Sequence, residues 1–176
     1  MESQNMDVEE LKQRYLTGDR DFSIANLQDA ALQDINLSGA VFHGAILDGA
    51  KLQRADLSET DLSGATLKGA DLTQANLTRA NLSDAILDRA ILDGAILDGA
   101  LLNQADLKAA HLAQATLSDA DLSEADLTRA SLEAADLSGA DLSAADLTRA
   151  NLEAAVLDEA SLDTANLAET HLDANA

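Results

Sequence analysis

Cysteine is absent from the 176-residue chain. Disulfides, thiolate nucleophiles and cysteine-ligated metals are excluded, and the redox compartment is left undecided. Aromatic residues are nearly absent, with no Trp, one Tyr (Tyr15) and two Phe (Phe22 and Phe42). Stacking platforms for single-stranded nucleic acid are therefore missing. Bases are scarce: eleven against 32 acids, a net charge of −21 spread along the chain. With no basic stripe expected to replace phosphate counterions, direct binding of DNA or RNA is disfavoured. A polyanion is suited instead to a protein partner with a basic surface. No apolar run approaches the ~18 residues of a membrane span. Residues 1–5 show neither a basic nor an apolar leader region, so a cytoplasmic location is expected.

Signals of chemistry are also missing. His43, His111 and His171 are the only imidazoles. The glycines never form a phosphate-cradling loop pattern. Carboxylate pairs are so numerous that none stands out as a general acid and base. The sequence thus predicts no catalytic residues, no metal and no cofactor.

What is present is a period of five. From Phe22 to Leu172, all 31 positions taken in steps of five are Leu or Phe, 29 of them Leu. Two residues before each, from position 25 to 170, a second phase is Ala at 27 of 30 places, broken by Ile35, Thr60 and Thr170. On an α-helix such leucines would rotate by ~140° per step and leave no apolar face. On a flat strand they would alternate sides. The pattern instead places two inward residues two apart and then demands a corner, which makes a stacked coil. Alanine in the second inward phase fits a bore too narrow for two large side chains per repeat. Eight of the nine glycines occupy the second place after Leu. That place is the third residue of a turn, where a type II geometry needs φ > 0. Where other residues fill it, a different turn type is expected.

These units resemble the pentapeptide-repeat family, written A-(D/N)-L-x-x, over residues 21–172; Asp or Asn precedes Leu in 16 of 31 repeats. The resemblance implies an all-β fold: a right-handed quadrilateral parallel β-helix of about eight coils, with four repeats per coil. The 20-residue spacing of Phe22 and Phe42, and of Arg129 and Arg149, agrees with that coil. At ~4.8 Å per coil the rod is about 35–40 Å long. His111 and His171 would share a wall three coils apart, ~14 Å by the same spacing, too far to share a metal.

Residues 1–20 read as an N-terminal capping helix and lead-in. Asp7 with Glu10 fits a capping box, Gly18 a helix stop, and Val8, Leu11 and Tyr15 an apolar stripe, giving a helix from about 8 to 17. Residues 173–176 form a short tail that leaves the last coil bare. Leu162, Leu167 and Leu172, with Ala165, would form its final inward layer, to be covered by a homodimer through this end or by another partner, the competing expectation being a monomer whose last coil frays.

Two outward features are candidate surfaces. Asp106, Asp126 and Asp146 would stack on one wall and Asp121 and Asp141 on the next, either as an anionic docking face or as a device of solubility. Ile86, Ile91, Ile96 and Leu101 would form a one-coil apolar belt, either an interface or tolerated surface. The functional expectation is a non-enzymatic acidic rod acting as a protein–protein interaction or regulatory module. Some cyanobacterial members of the family resemble this chain at the opening Met6–Leu11. The alternative that the resemblance implies is a DNA mimic that binds DNA gyrase, of the quinolone-protection type. An unbroken array with almost no Phe in the central position departs from those members.

Overall fold

The computed structural model describes residues 4–172, so residues 1–3 of the lead-in and the tail 173–176 lie outside the described residues. Every pairing in the repeat region links residue i to residue i+20 in parallel, from Asp21 with Val41 to Asn151 with His171. Twenty residues therefore make one coil, and the chain winds as a right-handed, four-sided parallel β-helix. Each wall is one paired residue deep, and each corner is a four-residue turn. In all 30 turns the amide of the inward Ala-phase residue donates to the carbonyl of the inward Leu or Phe three residues earlier, as Ala25 does to Phe22 at 3.1 Å.

The inward phases are as the sequence predicts. The Leu and Phe positions from Phe22 to Leu152 are buried, and nearly all Ala-phase residues between them are too. Phe22 and Phe42 stack with centroids 5.4 Å apart. Thr60 takes an alanine's place, and its buried hydroxyl is satisfied by donating to the Leu57 carbonyl at 2.7 Å.

The turns differ from expectation. The second place after Leu has positive φ at every one of its positions from 24 to 169, and 22 of these residues are not glycine. Asp, Glu, Arg, Gln, Ala, Ile24 and Thr164 all sit at φ between 51° and 61°. Stacking overrides local preference here: from Ile24 to Arg149 each turn amide also donates to the next coil, as Arg54 does to Thr73 at 3.0 Å, so neighbouring coils must share one backbone path. A Cβ added at Gly39, Gly64 or Gly69 would meet nothing within 4 Å. Glycine is used there for its conformation and not for room.

Three short elements close the first coil. β1 (Gln4–Asn5) pairs in parallel with β2 (Ala25–Asn26), and α1 spans Val8–Leu16. Asp7 caps α1, its Oδ1 accepting from the Glu10 amide at 2.7 Å. Leu11 is fully buried, with Val8 and Tyr15 packed beside it on the core. The cap also satisfies carbonyls that the first coil would otherwise leave open. The Met6 amide donates to Asn26 O at 3.2 Å, Arg14 Nη2 to Asp21 O at 3.0 Å, and Tyr15 Oη to Ser38 O at 2.9 Å. Arg14 also lies 5.1 Å from the centre of the Phe22 ring.

Candidate protein-interaction surface

The residue before each Leu points outward in the middle of a wall, and the two residues after it form a corner. Asp106, Asp126 and Asp146 pair in sequence on one wall, and Asp121 pairs with Asp141 on the next. The predicted ladders are therefore brought together. Their local chemistry was missed by the sequence reading. In an Asp-Leu-Ser or Asp-Leu-Thr unit, the carboxylate accepts from the amide two residues on and usually from that residue's hydroxyl. Ser123 donates to Asp121 at 2.9 and 2.6 Å, and Thr148 to Asp146 at 2.9 and 2.5 Å. The recurring D-L-S/T triplet was the signal available for this, since short polar side chains close such turns on their own backbone.

Asparagine does the same work. Asn76 Oδ1 accepts from the Thr78 amide at 3.1 Å and hydroxyl at 2.7 Å, and Asn81 does likewise with Ser83. The turn thus accepts a side-chain oxygen without needing its charge, and at Ile86 or Leu101 it forms with no such oxygen at all. In Asp136 and Asp141 the hydroxyl and then the amide of the serine two residues on hold the carboxyl below its usual range. Desolvation pushes Asp126 upward, but hydrogen bonds from Thr128 and Lys108 outweigh it and leave that carboxyl lowered. Lys108 Nζ lies 3.0 Å from Asp126 and 3.7 Å from Asp106. It offsets part of one ladder, whereas no base lies within ion-pair distance of Asp121 or Asp141 among the described residues.

The apolar belt is placed as predicted, one residue per wall. Thr66 and Asp106 flank Ile86, Asp71 and His111 flank Ile91, Asn76 and Thr116 flank Ile96, and Asn81 and Asp121 flank Leu101. Each apolar side chain is thus bordered by polar ones above and below, and the belt makes no contiguous patch. At the far end, Leu162 is half-buried, while Leu167 and Leu172 are 38% and 44% exposed. His111 and His171 lie on one wall, separated by Ser131 and Asn151. Among the described residues no group of three or more His, Asp or Glu is placed to hold a metal.

Stacking also creates a feature that corrects the linear reading of charge. Lys68, Arg89, Lys108, Arg129 and Arg149 are 19 to 21 residues apart in sequence. A 20-residue coil brings all five to one corner, so a basic stripe exists in three dimensions although none is visible along the chain. Elsewhere the corner bases are matched by acids one coil away, Arg54 with Asp34 at 2.7 Å and Arg79 with Glu59 at 3.4 Å.

The family model for pentapeptide repeats matches residues 25–64, 65–104, 105–143 and 145–173, in eight copies. No curated protein matches the chain. Among solved structures, HetL of the cyanobacterium Nostoc sp. strain PCC 7120, a pentapeptide repeat protein involved in heterocyst differentiation regulation, is 29% identical, with 94% of each chain covered and a TM-score of 0.50. QnrB1, a plasmid-mediated fluoroquinolone resistance protein, is 16% identical, with 85% of this chain and 87% of its own covered and a TM-score of 0.64. The second likeness is one of fold alone. No helix among the described residues is long and apolar enough to cross a membrane.

Proposed function

Because this chain belongs to the pentapeptide-repeat family, we propose that it is a non-enzymatic acidic rod whose walls bind a protein partner with a basic surface. It would act as a protein–protein interaction or regulatory module. One observation carries this reading: asparagine supplies the turn's side-chain oxygen as well as aspartate and Ile86 does without one, yet Asp106, Asp121, Asp126, Asp141 and Asp146 are charged and stacked. Like charges at coil spacing oppose folding, modestly because they are solvated. Charge that the fold does not require supports a role in recognition. The likeness to HetL supports a regulatory use of such contacts.

The test replaces Asp121, Asp126, Asp141 and Asp146 with Asn. Circular dichroism should keep its wild-type shape and the melting temperature should move little, because relief of like-charge repulsion offsets the loss of hydrogen bonds to charged oxygens. Binding to a basic partner captured from native lysate should weaken, and wild-type binding should fall steeply with salt. Undiminished capture by the tetra-Asn variant would refute the reading.

DNA mimicry is the second reading, favoured by charge density. Residues 21–176 hold 27 acids and 8 bases, net −19, or about one charge per 2 Å of rod against one per ~1.7 Å in duplex DNA. The basic corner weighs against it, because a duplex is negative on every side. Gyrase supercoiling unaffected by excess protein would remove it.

A further inference from the structure

We propose that the corner carrying Lys68, Arg89, Lys108, Arg129 and Arg149 is a second binding surface, which takes an extended acidic segment of a partner protein. Five of the eight bases within residues 21–176 lie here, and among the corner residues from 68 to 149 the one acid is Asp88. The positions stack directly. The Arg89 amide donates to Lys108 O, that of Ala109 to Thr128 O, and that of Arg129 to Thr148 O, each at 2.9 Å.

Lys108 is paired with Asp106 and Asp126, and Arg149 with Glu169, but the other three charges are not spent on links between coils. Arg89 reaches no acid closer than Asp88 at 4.0 Å, with its side chain 79% exposed. Arg129 has no ion pair among the described residues, although Arg149, the like charge one coil on, is matched by Glu169 at 2.7 Å. Between the guanidinium groups of Arg89 and Arg129 stands Ala109, whose small side chain leaves a depression of about 170 Å³ lined by Asp88, Arg89, Lys108, Ala109, Thr128 and Arg129. Two forked donors on either side of a gap suit a carboxylate, which guanidinium binds in bidentate fashion.

The shape of the surface selects the partner. Its bases span four coil spacings, ~19 Å, a length covered by about six residues of extended chain. On one side lies the wall of Asp106, Asp126 and Asp146, which turns away a broad anion such as a nucleic-acid duplex. On the other lies the wall of Ala31, Lys51, Asp71, Ile91, His111, Ser131, Asn151 and His171, which holds a single carboxylate. A narrow acidic strand can seat on the corner and lean onto that wall. The corner touches the acidic wall through Lys108, but its test rests on Arg89 and Arg129, and its failure would leave the previous reading standing.

The experiment is fluorescence anisotropy with a labelled octapeptide of alternating Glu and Ser. It is run near 0.15 M salt, where a Debye length of ~8 Å lets the corner act apart from the net charge of the rod. Wild type should bind, and Arg89→Gln with Arg129→Gln should weaken binding by about tenfold or more. Arg54→Gln with Arg79→Gln removes the same net charge from other corners and should change it by less than about twofold. Melting temperatures identify any variant with an altered fold, and for such a variant Arg89→Lys with Arg129→Lys replaces it and should weaken binding through loss of the fork. Equal losses in the two charge-matched pairs, or no binding by wild type, would overturn the proposal. Tighter binding of a labelled oligothymidylate of eight nucleotides, lost in the same variants, would overturn the assignment to a peptide.

Discussion

Ala134 and Ala135 are neighbours in sequence, and the same substitution should act on them with opposite sign. Ala134 is an exposed corner residue at φ 55°, while Ala135 points inward and is fully buried. A residue with a Cβ in the left-handed region costs about 1–2 kcal/mol, whereas glycine gives up about 0.5–1 kcal/mol of unfolded-state entropy. Ala134→Gly should therefore stabilise by about 0.5–1 kcal/mol, and a second change at Ala144, at φ 58°, should roughly double that. At 2–4 °C per kcal/mol for a chain of this size, the pair should raise the melting temperature by about 2–8 °C. Ala135→Gly loses the same entropy and also a buried methyl worth about 0.8 kcal/mol, so it should destabilise by about 1.5 kcal/mol. Thermal melts followed by circular dichroism at one pH and salt decide the matter. A lower melting temperature in the Ala134 variant would mean that the corners are not strained, and the argument that stacking overrides turn preference would fall.

Three further outcomes are expected. Leu97→Ala empties part of a fully buried column and should cost about 2–5 kcal/mol, while Ile96→Thr, one residue away on the belt, should stay within about 0.5 kcal/mol; equal losses would misplace the inward phase. In Asp21, Asp136 and Asp141 the serine hydroxyl and amide two residues on lower the folded-state carboxyl, so their contribution is present above an unfolded value of about 3.9 and lost as pH falls through the lower folded value. The melting temperature should hold from neutrality to about pH 4 and drop only below it; a drop that begins between pH 7 and 5 would contradict this. Finally, we propose that the coil end bearing Leu162, Leu167 and Leu172 mediates self-association: sedimentation at micromolar concentration should show twice 18.3 kDa, and a monomer at every concentration would refute it.

The inward architecture was legible because it depends on one repeated demand, a large and a small apolar residue two apart. The stripe of Val8, Leu11 and Tyr15 followed from spacing alone, while the stack of Phe22 on Phe42 also needed the four-repeat coil that the family resemblance implies. Three things did not. The left-handed corners were hidden because residues such as Ile24 and Thr164 rarely adopt that conformation by themselves, and only the pairing of coils imposes it. The role of Arg14 and of β1 in closing the first coil depends on which carbonyls the coil leaves open, and that is a property of the folded end. The basic corner was scattered through the chain, and it appears only when positions are compared at intervals of 20. The acidic ladders were found, but the reason aspartate suits their place, its bond to the following serine or threonine, became clear only with the geometry.

The fixed coil length gives every residue an angular address as well as a height. Removing one whole coil from mid-rod would shorten the molecule by ~4.8 Å and leave each wall aligned with itself. Removing ten residues would instead turn everything beyond the cut by half a revolution. Arg129 and Arg149 would then lie diagonally opposite Lys68 and Arg89, although the core would still read as leucine over leucine. Loss or gain of repeats can thus redraw the surface of this protein while its interior registers no change, and only multiples of four keep both.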